Sequence, residues 1–240
     1  MQTYLTTLTK KTVFPPDVDL FHFSLDDPKT IIFVPGQYII LKVPTDKGFV
    51  NRLYSIASAS TQADSFELLI KRVPGGLASN YINTFVVGQK VEFCGPAGQF
   101  SLKNSPQAKV FLTTGTGIAP IRSFILSNKD HTQTYHLFWG MSSVADLYLL
   151  DELKEVSKND SHFNFTVCLS KEPTLEEINE TDRGFFSLGH VNEAALGLIN
   201  GLPQNSLEFY ICGRREVVES LREYIYTHGI DRSLVYFERY

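Results

Sequence analysis

In the first hundred residues, apolar positions come in short runs cut by glycine and proline. The runs YIILKVP (38–44), NRLYSIAS (51–58), SFELLIKRV (65–73) and QKVEFCGP (89–96) read as strands. In the third, Phe66, Leu68 and Ile70 share one face while Glu67 and Lys71 fall on the other, the period of a half-buried strand. Pro35-Gly36, Gly75-Gly76 and Gly95-Pro96 supply the turns between runs. Strands so closely spaced, without long helical periodicity, predict an antiparallel barrel or sandwich.

After KNSPQ (103–107), which reads as a linker, the pattern changes. KVFLTTG (109–115) is continuously apolar, as in a strand buried on both faces. Further strands are expected at 134–140, 162–170, 207–213 and 233–240. Helical stretches separate most of them. One opens at Asp146, a good N-cap residue, with Leu147, Leu150 and Leu153 at helical spacing. Another, RREVVESLREYIYTHG, gathers Val217, Val218, Leu221, Tyr224 and Ile225 on one face and stops at Gly229. Strand alternating with helix implies a mostly parallel sheet covered on both sides. Two domains follow: an all-β antiparallel domain over 1–104 and an α/β parallel-sheet domain over 108–240.

Composition narrows the function without choosing it. A net charge of −4 provides no global field toward nucleic acid or an anionic membrane. The start MQTYLTTLTKKTVFPPD lacks the apolar run of a signal peptide, and no stretch approaches the ~20 apolar residues of a membrane span. Cys94, Cys168 and Cys212 lie far apart without CxxC spacing, which argues against a zinc site, an iron–sulfur cluster or a disulfide scaffold. A reducing, cytoplasmic location is expected.

Two stretches carry candidate chemistry. TTGTGIAPIRSFI (113–125) follows the first buried strand and leads into a helix. Gly115 and Gly117 permit a tight turn, and Pro120 suits a first helical position. Exposed N–H groups there favour a phosphate or pyrophosphate. The GxGxxG fingerprint is not met, and LFWGMSS (137–143) has no acidic residue for a ribose, so a standard Rossmann dehydrogenase is disfavoured. The second stretch, NRLYSIASAS (51–60), sets Arg52, Tyr54 and Ser55 in an apolar neighbourhood. Alone, it fits an edge strand with a wet face.

Taken in order, PGQY (35–38), RLYS (52–55), KRVPGGLAS (71–79), GPAGQF (95–100), GTGIAP (115–120), CG (212–213) and the terminal ERY (238–240) resemble the ferredoxin–NADP reductase superfamily. The resemblance spans nearly the whole chain. It implies a flavin-binding barrel joined to a nicotinamide-nucleotide domain, FAD rather than FMN, and hydride exchange between nicotinamide and flavin N5. On the flavin side it implies Arg52 at the phosphate, Tyr54 against the isoalloxazine, Ser55 near N5, and Leu53 among the flavin-binding residues. Gly76, Leu77, Ala78 and Ser79, with Lys71 or Arg72 nearby, would serve the phosphate. On the nicotinamide side it implies Thr114, Gly115, Thr116 and Gly117 at the pyrophosphate, with Cys212 and Gly213 beside the nicotinamide. Glu238 and Tyr240 match the plant-type Glu-x-Tyr ending. There the tyrosine covers the flavin face and the glutamate supports proton movement.

LSKE (169–172) resembles a Ser-Arg pair that grips a 2′-phosphate, so Ser170 and Lys171, helped by Arg183, imply NADPH over NADH. Two departures stand out. Gly140-Met141-Ser142 replaces a Gly-x-Arg found in some relatives, and valine replaces the usual methionine in CGRREVV. With no cluster-binding cysteines in the chain, the expected partner is a separate carrier, ferredoxin or flavodoxin. Lys42, Lys47, Lys71, Arg72 and Arg239 are candidates to dock it. The alternatives are a reductase component of an oxygenase, a reductase of free flavin, and a flavin-binding electron-transfer subunit without turnover.

Overall fold

The structure, a computed structural model, describes residues 1–128 and 132–240. The chain forms two compact units, Met1–Leu102 with Ala119–Asn128, and Lys103–Ile118 with Lys129–Tyr240.

The first unit is built on six strands: β1 (Gln2–Phe14), β2 (Val18–Asp27), β3 (Tyr38–Thr45), β4 (Gly48–Ser55), β5 (Ser65–Lys71) and β6 (Lys90–Ala97). They pair antiparallel in the order β4-β3-β6-β1-β2-β5. The end strands meet where Ile56 bridges Leu68 and the Ala57 N–H donates to Glu67 O at 2.8 Å. That bridge turns the expected barrel or sandwich into a barrel. Its core is aromatic, with Phe23 and Phe93 rings 4.9 Å apart and Phe21 and Phe66 alongside. The inward set Tyr4, Thr6, Leu8 of β1 mixes threonine with apolar residues, which hides the strand from a hydrophobic count. Thr6 tolerates burial because its hydroxyl donates to Val91 O at 2.8 Å. One short helix, α1 (Leu77–Asn83), links β5 to β6.

The second unit holds β7 (Ala108–Thr114), β8 (Tyr135–Met141), β9 (Phe163–Leu169), β10 (Phe186–Leu188), β11 (Leu207–Gly213) and β12 (Val235–Arg239), all parallel, in the order β10-β9-β8-β7-β11-β12. Helices α3 (Leu150–Asn159), α4 (Val191–Gly201) and α5 (Arg215–Thr227) join the strands. Helix α2 (Ile118–Ser127) follows β7 in the chain, yet its residues from Ala119 onward pack within the first unit.

Asp146 does not cap α3, contrary to the sequence expectation. Its carboxylate accepts from the N–H and hydroxyl of Ser143, closing a 3₁₀ turn over Val144–Asp146. Leu149 then takes a left-handed φ of 59°, which breaks the run so that α3 starts one residue later. In α5 the expected face holds: Val218, Leu221 and Ile225 are buried, and Gly229 stands at φ 83° after the end.

At the amino ends of the central strands, Lys109 and Glu208 form a buried ion pair at 2.8 Å. Glu208 also accepts from Ser105 and Tyr210, and Tyr210 accepts from the Lys103 N–H. The linker residues 103–107 are thereby tied to β7 and β11. Burial alone would raise the Glu208 carboxyl, but the bonds from Lys109, Ser105 and Tyr210 outweigh it and hold it below its ordinary range.

Candidate functional site

In the first unit the candidate residues lie on β4 and at the start of α1. β4 ends the strand order and pairs along its length with β3. Strand alternation puts Arg52 and Tyr54 on one face, with Leu53 and Ser55 on the other. Arg52 is half-buried, and its one hydrogen bond among the described residues runs from Nη1 to Asn51 O at 3.0 Å. The guanidinium therefore keeps most of its five donors for another partner. Tyr54 packs against the barrel core, and burial pushes its phenol up to about 12, the Arg52 charge opposing the shift. Leu53 is exposed.

The chain just beyond Ser55 is held from α2. Arg122 is buried and donates to Ala57 O at 2.7 Å and to Glu67 Oε2 at 2.7 Å. The Ser123 hydroxyl donates to Ser58 O at 2.7 Å, and the Ser60 N–H donates to Ser127 Oγ at 2.9 Å. The serines of SIASAS beyond Ser55 are thus structural. Sequence reading missed Arg122, whose signal was an arginine inside the apolar helix IAPIRSFI.

Gly76 caps α1, and Ser79 is buried with its oxygen accepting from the Val73 N–H at 2.8 Å. The Asn80 N–H finds Gly76 O, while the amides of Leu77, Ala78 and Ser79 form the open first turn. Lys71 turns elsewhere, to Asp17 at 3.0 Å, and Arg72 is clamped by the buried Asp19.

In the second unit, β7 is the strand at which the order reverses: the chain continues outward to β8 on one side, and β11 lies on the other. Ligands of open α/β sheets bind at the carboxyl ends of strands at such a switch point. Thr114, Gly115, Thr116 and Gly117 occupy it, together with Cys212 and Gly213 at the end of β11. Gly115 has φ 52°, and a Cβ on Gly117 would lie 2.5 Å from Cys212 O and 2.7 Å from Thr113 Oγ1. The Thr113 hydroxyl donates to that same Cys212 carbonyl at 2.9 Å, which fixes the two strand ends together. Trp139, not singled out from the sequence, donates from Nε1 to Gly115 O at 3.0 Å and holds the turn from below.

The C-terminus closes on this turn. The Tyr240 N–H donates to Gly213 O at 3.3 Å, and its hydroxyl lies 3.4 Å from Thr116 Oγ1. Glu238 sits beside Cys212 in the β11–β12 register. Burial, then the Glu238 charge, push the Cys212 thiol well up, so it is no thiolate nucleophile.

Ser170 and Lys171 follow β9. The Ser170 N–H donates to Met141 O at 3.1 Å and the Lys171 N–H to Ser142 O at 2.9 Å, leaving the Lys171 amine exposed. Arg183 is not drawn to them. Its Nε donates to Leu175 O and Ile178 O, and its Nη2 to Glu176 O, all within 3.2 Å.

An antiparallel barrel followed by a parallel sheet with a glycine turn at its switch point defines the class of two-domain flavin–nicotinamide oxidoreductases. The family model for the oxidoreductase FAD-binding domain matches residues 5–102, and that for the oxidoreductase NAD-binding domain matches 111–223. The chain belongs to the ferredoxin–NADP reductase-like superfamily. It is 30% identical to the ferredoxin–NADP reductase B of Sorangium cellulosum, over 94% of this chain and 92% of that protein. It is 27% identical to the toluate 1,2-dioxygenase electron transfer component of Pseudomonas putida, over 88% of this chain but only 59% of that protein. The fold matches a ferredoxin NADP+ reductase from Neisseria gonorrhoeae solved with bound FAD and NADP, at TM-score 0.83 and 21% identity, covering 100% of this chain and 99% of that one. No helix among the described residues is long and apolar enough to cross a membrane.

Proposed function

We propose that the chain is an FAD-dependent NAD(P)H oxidoreductase that exchanges electrons with a separate carrier protein. The observation that carries the reading is the switch-point turn, where Gly117 packs tightly on Cys212 O while Gly115, at φ 52°, faces open space with nothing within 4 Å of its Cβ position. Backbone that open, at the carboxyl end of a central strand, suits a pyrophosphate. On the first unit the residues likewise fit a flavin nucleotide: Arg52 keeps donors for a phosphate and Tyr54 offers a ring on a firm core.

Bound FAD would accept the hydride of a nicotinamide at N5 and release electrons to the carrier. The chain's own residues bind and orient. Arg52 and the first turn of α1, with Ser79, hold phosphate; Tyr54 supports the ring; Ser55 holds a hydrogen bond near N5. Gly115, Thr116 and Gly117 hold the dinucleotide, and Cys212 fills the space beside the nicotinamide without acting as nucleophile. Tyr240 keeps the place that the nicotinamide must take, and Glu238 supports its placement and the proton. Positioning of this kind is the protein's share of hydride transfer.

The carrier is ferredoxin or flavodoxin in the first reading and an oxygenase component in the second. The second draws on the toluate dioxygenase relative and on two propane monooxygenase reductase components at 25–26% identity, of which this chain spans 64%. Three free cysteines suit a reducing, cytoplasmic setting.

The test is anaerobic titration of the flavin-loaded protein with NADH and with NADPH, followed by candidate carriers. Loss of the flavin's visible absorbance, then fast electron delivery only to a carrier protein, is expected. A yellow protein that neither cofactor bleaches would sink the proposal, and fast turnover of free flavin alone would replace the carrier with a small acceptor.

A further inference from the structure

We infer that the segment joining β9 to β10 makes the chain select NADH over NADPH by repelling a 2′-phosphate. The inference rests on the reading above, that the switch-point turn holds a nicotinamide dinucleotide.

Parallel strands lie about 4.8 Å apart, so the end of β9 stands roughly 10 Å from the turn after β7, and β10 one strand further. An adenosine whose pyrophosphate sits at the turn can extend along this row of strand ends. A shallow, solvent-open depression of about 320 Å³ lies there, lined by Pro173, Thr174, Leu175, Glu176, Arg183 and Leu188. Proline and leucine walls suit a base. The ribose beside it would meet the charges of the same segment.

Those charges are mostly negative. Residues 170–188 carry Glu172, Glu176, Glu177, Glu180 and Asp182 against Lys171 and Arg183, five carboxylates to two cations. Glu172 is engaged with the Val144 N–H at 2.8 Å and Asp182 with Lys154 at 2.7 Å. Glu176, Glu177 and Glu180 are exposed and form no ion pair among the described residues.

Arg183, the cation lining the depression, has its Nε and Nη2 committed to the carbonyls of Leu175, Glu176 and Ile178. It staples the loop and fixes Glu176 at the rim instead of reaching outward as a fork for phosphate. Among the described residues of this segment, Lys171 is the cation whose side chain makes no hydrogen bond or ion pair. A 2′-phosphate near neutral pH adds nearly two negative charges, which one exposed lysine does not offset against three exposed carboxylates.

The experiment measures binding of 5′-AMP and of 2′,5′-ADP to the flavin-loaded protein by calorimetry at low salt, alongside anaerobic flavin reduction by NADH and NADPH. We expect 5′-AMP to bind at least about tenfold tighter, with a matching preference for NADH. The combined variant Glu176→Gln, Glu177→Gln, Glu180→Gln should narrow the gap to about threefold, and raised salt should narrow it too. Equal or tighter binding of 2′,5′-ADP, or a gap untouched by the three substitutions, would overturn the inference and leave the oxidoreductase reading standing. Failure of both nucleotides to bind would overturn the two together.

Discussion

Gly117 and Cys212 come so close that a side chain between them is impossible: a Cβ on Gly117 would stand 2.5 Å from the Cys212 carbonyl oxygen. That oxygen is already bound to Thr113, so the strand end cannot yield cheaply. Gly117→Ala should cost about 1–3 kcal/mol, as overpacking does, and should weaken dinucleotide binding by tenfold or more as the turn is displaced. Thermal unfolding and nucleotide titration check the two effects, and unchanged binding would remove the turn from the nucleotide site.

Arg52 contributes little to the fold, since among the described residues its side chain hydrogen-bonds only to Asn51 O. Arg52→Ala should leave stability nearly unchanged while weakening FAD by about 1.5–3 kcal/mol, the range of a hydrogen bond to a charged group. Flavin titration of the apoprotein measures this. A large loss of stability with flavin affinity intact would assign Arg52 to the barrel alone.

Tyr240 is tied through its N–H to Gly213 and through its hydroxyl to Thr116. If nicotinamide must displace the ring, Tyr240→Ser should raise dinucleotide affinity by about tenfold, because the competent arrangement no longer has to be populated against it. Although 62% of the residue is exposed, desolvation around its hydroxyl pushes the phenol up, so the effect should not change between neutral and mildly alkaline pH. Titrations at two pH values settle both points.

The Lys109–Glu208 pair makes a stability prediction free of any cofactor. Lys109→Met strands a buried carboxylate and should cost about 3–5 kcal/mol, most of it recovered by adding Glu208→Leu. Glu208 is held below its ordinary range in the fold, so the stabilisation is present above that range and is lost as pH falls through the folded value. Denaturant midpoints of wild type and Lys109→Met should therefore converge in acid.

The three thiols should separate by reactivity. Burial, then Glu193, push Cys168 up to about 12, and burial with Glu238 pushes Cys212 well up, whereas Cys94 is only half-buried. Brief treatment of the native protein with iodoacetamide should modify Cys94 alone, read by mass spectrometry. Fast labelling of Cys212 would contradict its description as a packed neutral thiol.

Hydrophobic period and turn residues were enough to divide this chain into an antiparallel half and a parallel half, because burial on one face or on two leaves different spacing. They also marked the glycine turn and the strand bearing Arg52, Tyr54 and Ser55. Motifs in order identified the family. β1 escaped because threonines occupy its inward positions and bond to the backbone there, and Asp146 misled because its carboxylate serves a turn before the helix. Only the tertiary structure shows that Arg122 holds the chain beyond Ser55 and that Trp139 supports Gly115. Only it shows that Arg183, a phosphate candidate by residue type, spends its guanidinium on three carbonyls. A side chain's chemistry is written in the sequence, but whether its hydrogen bonds remain available is decided by what the fold brings within reach.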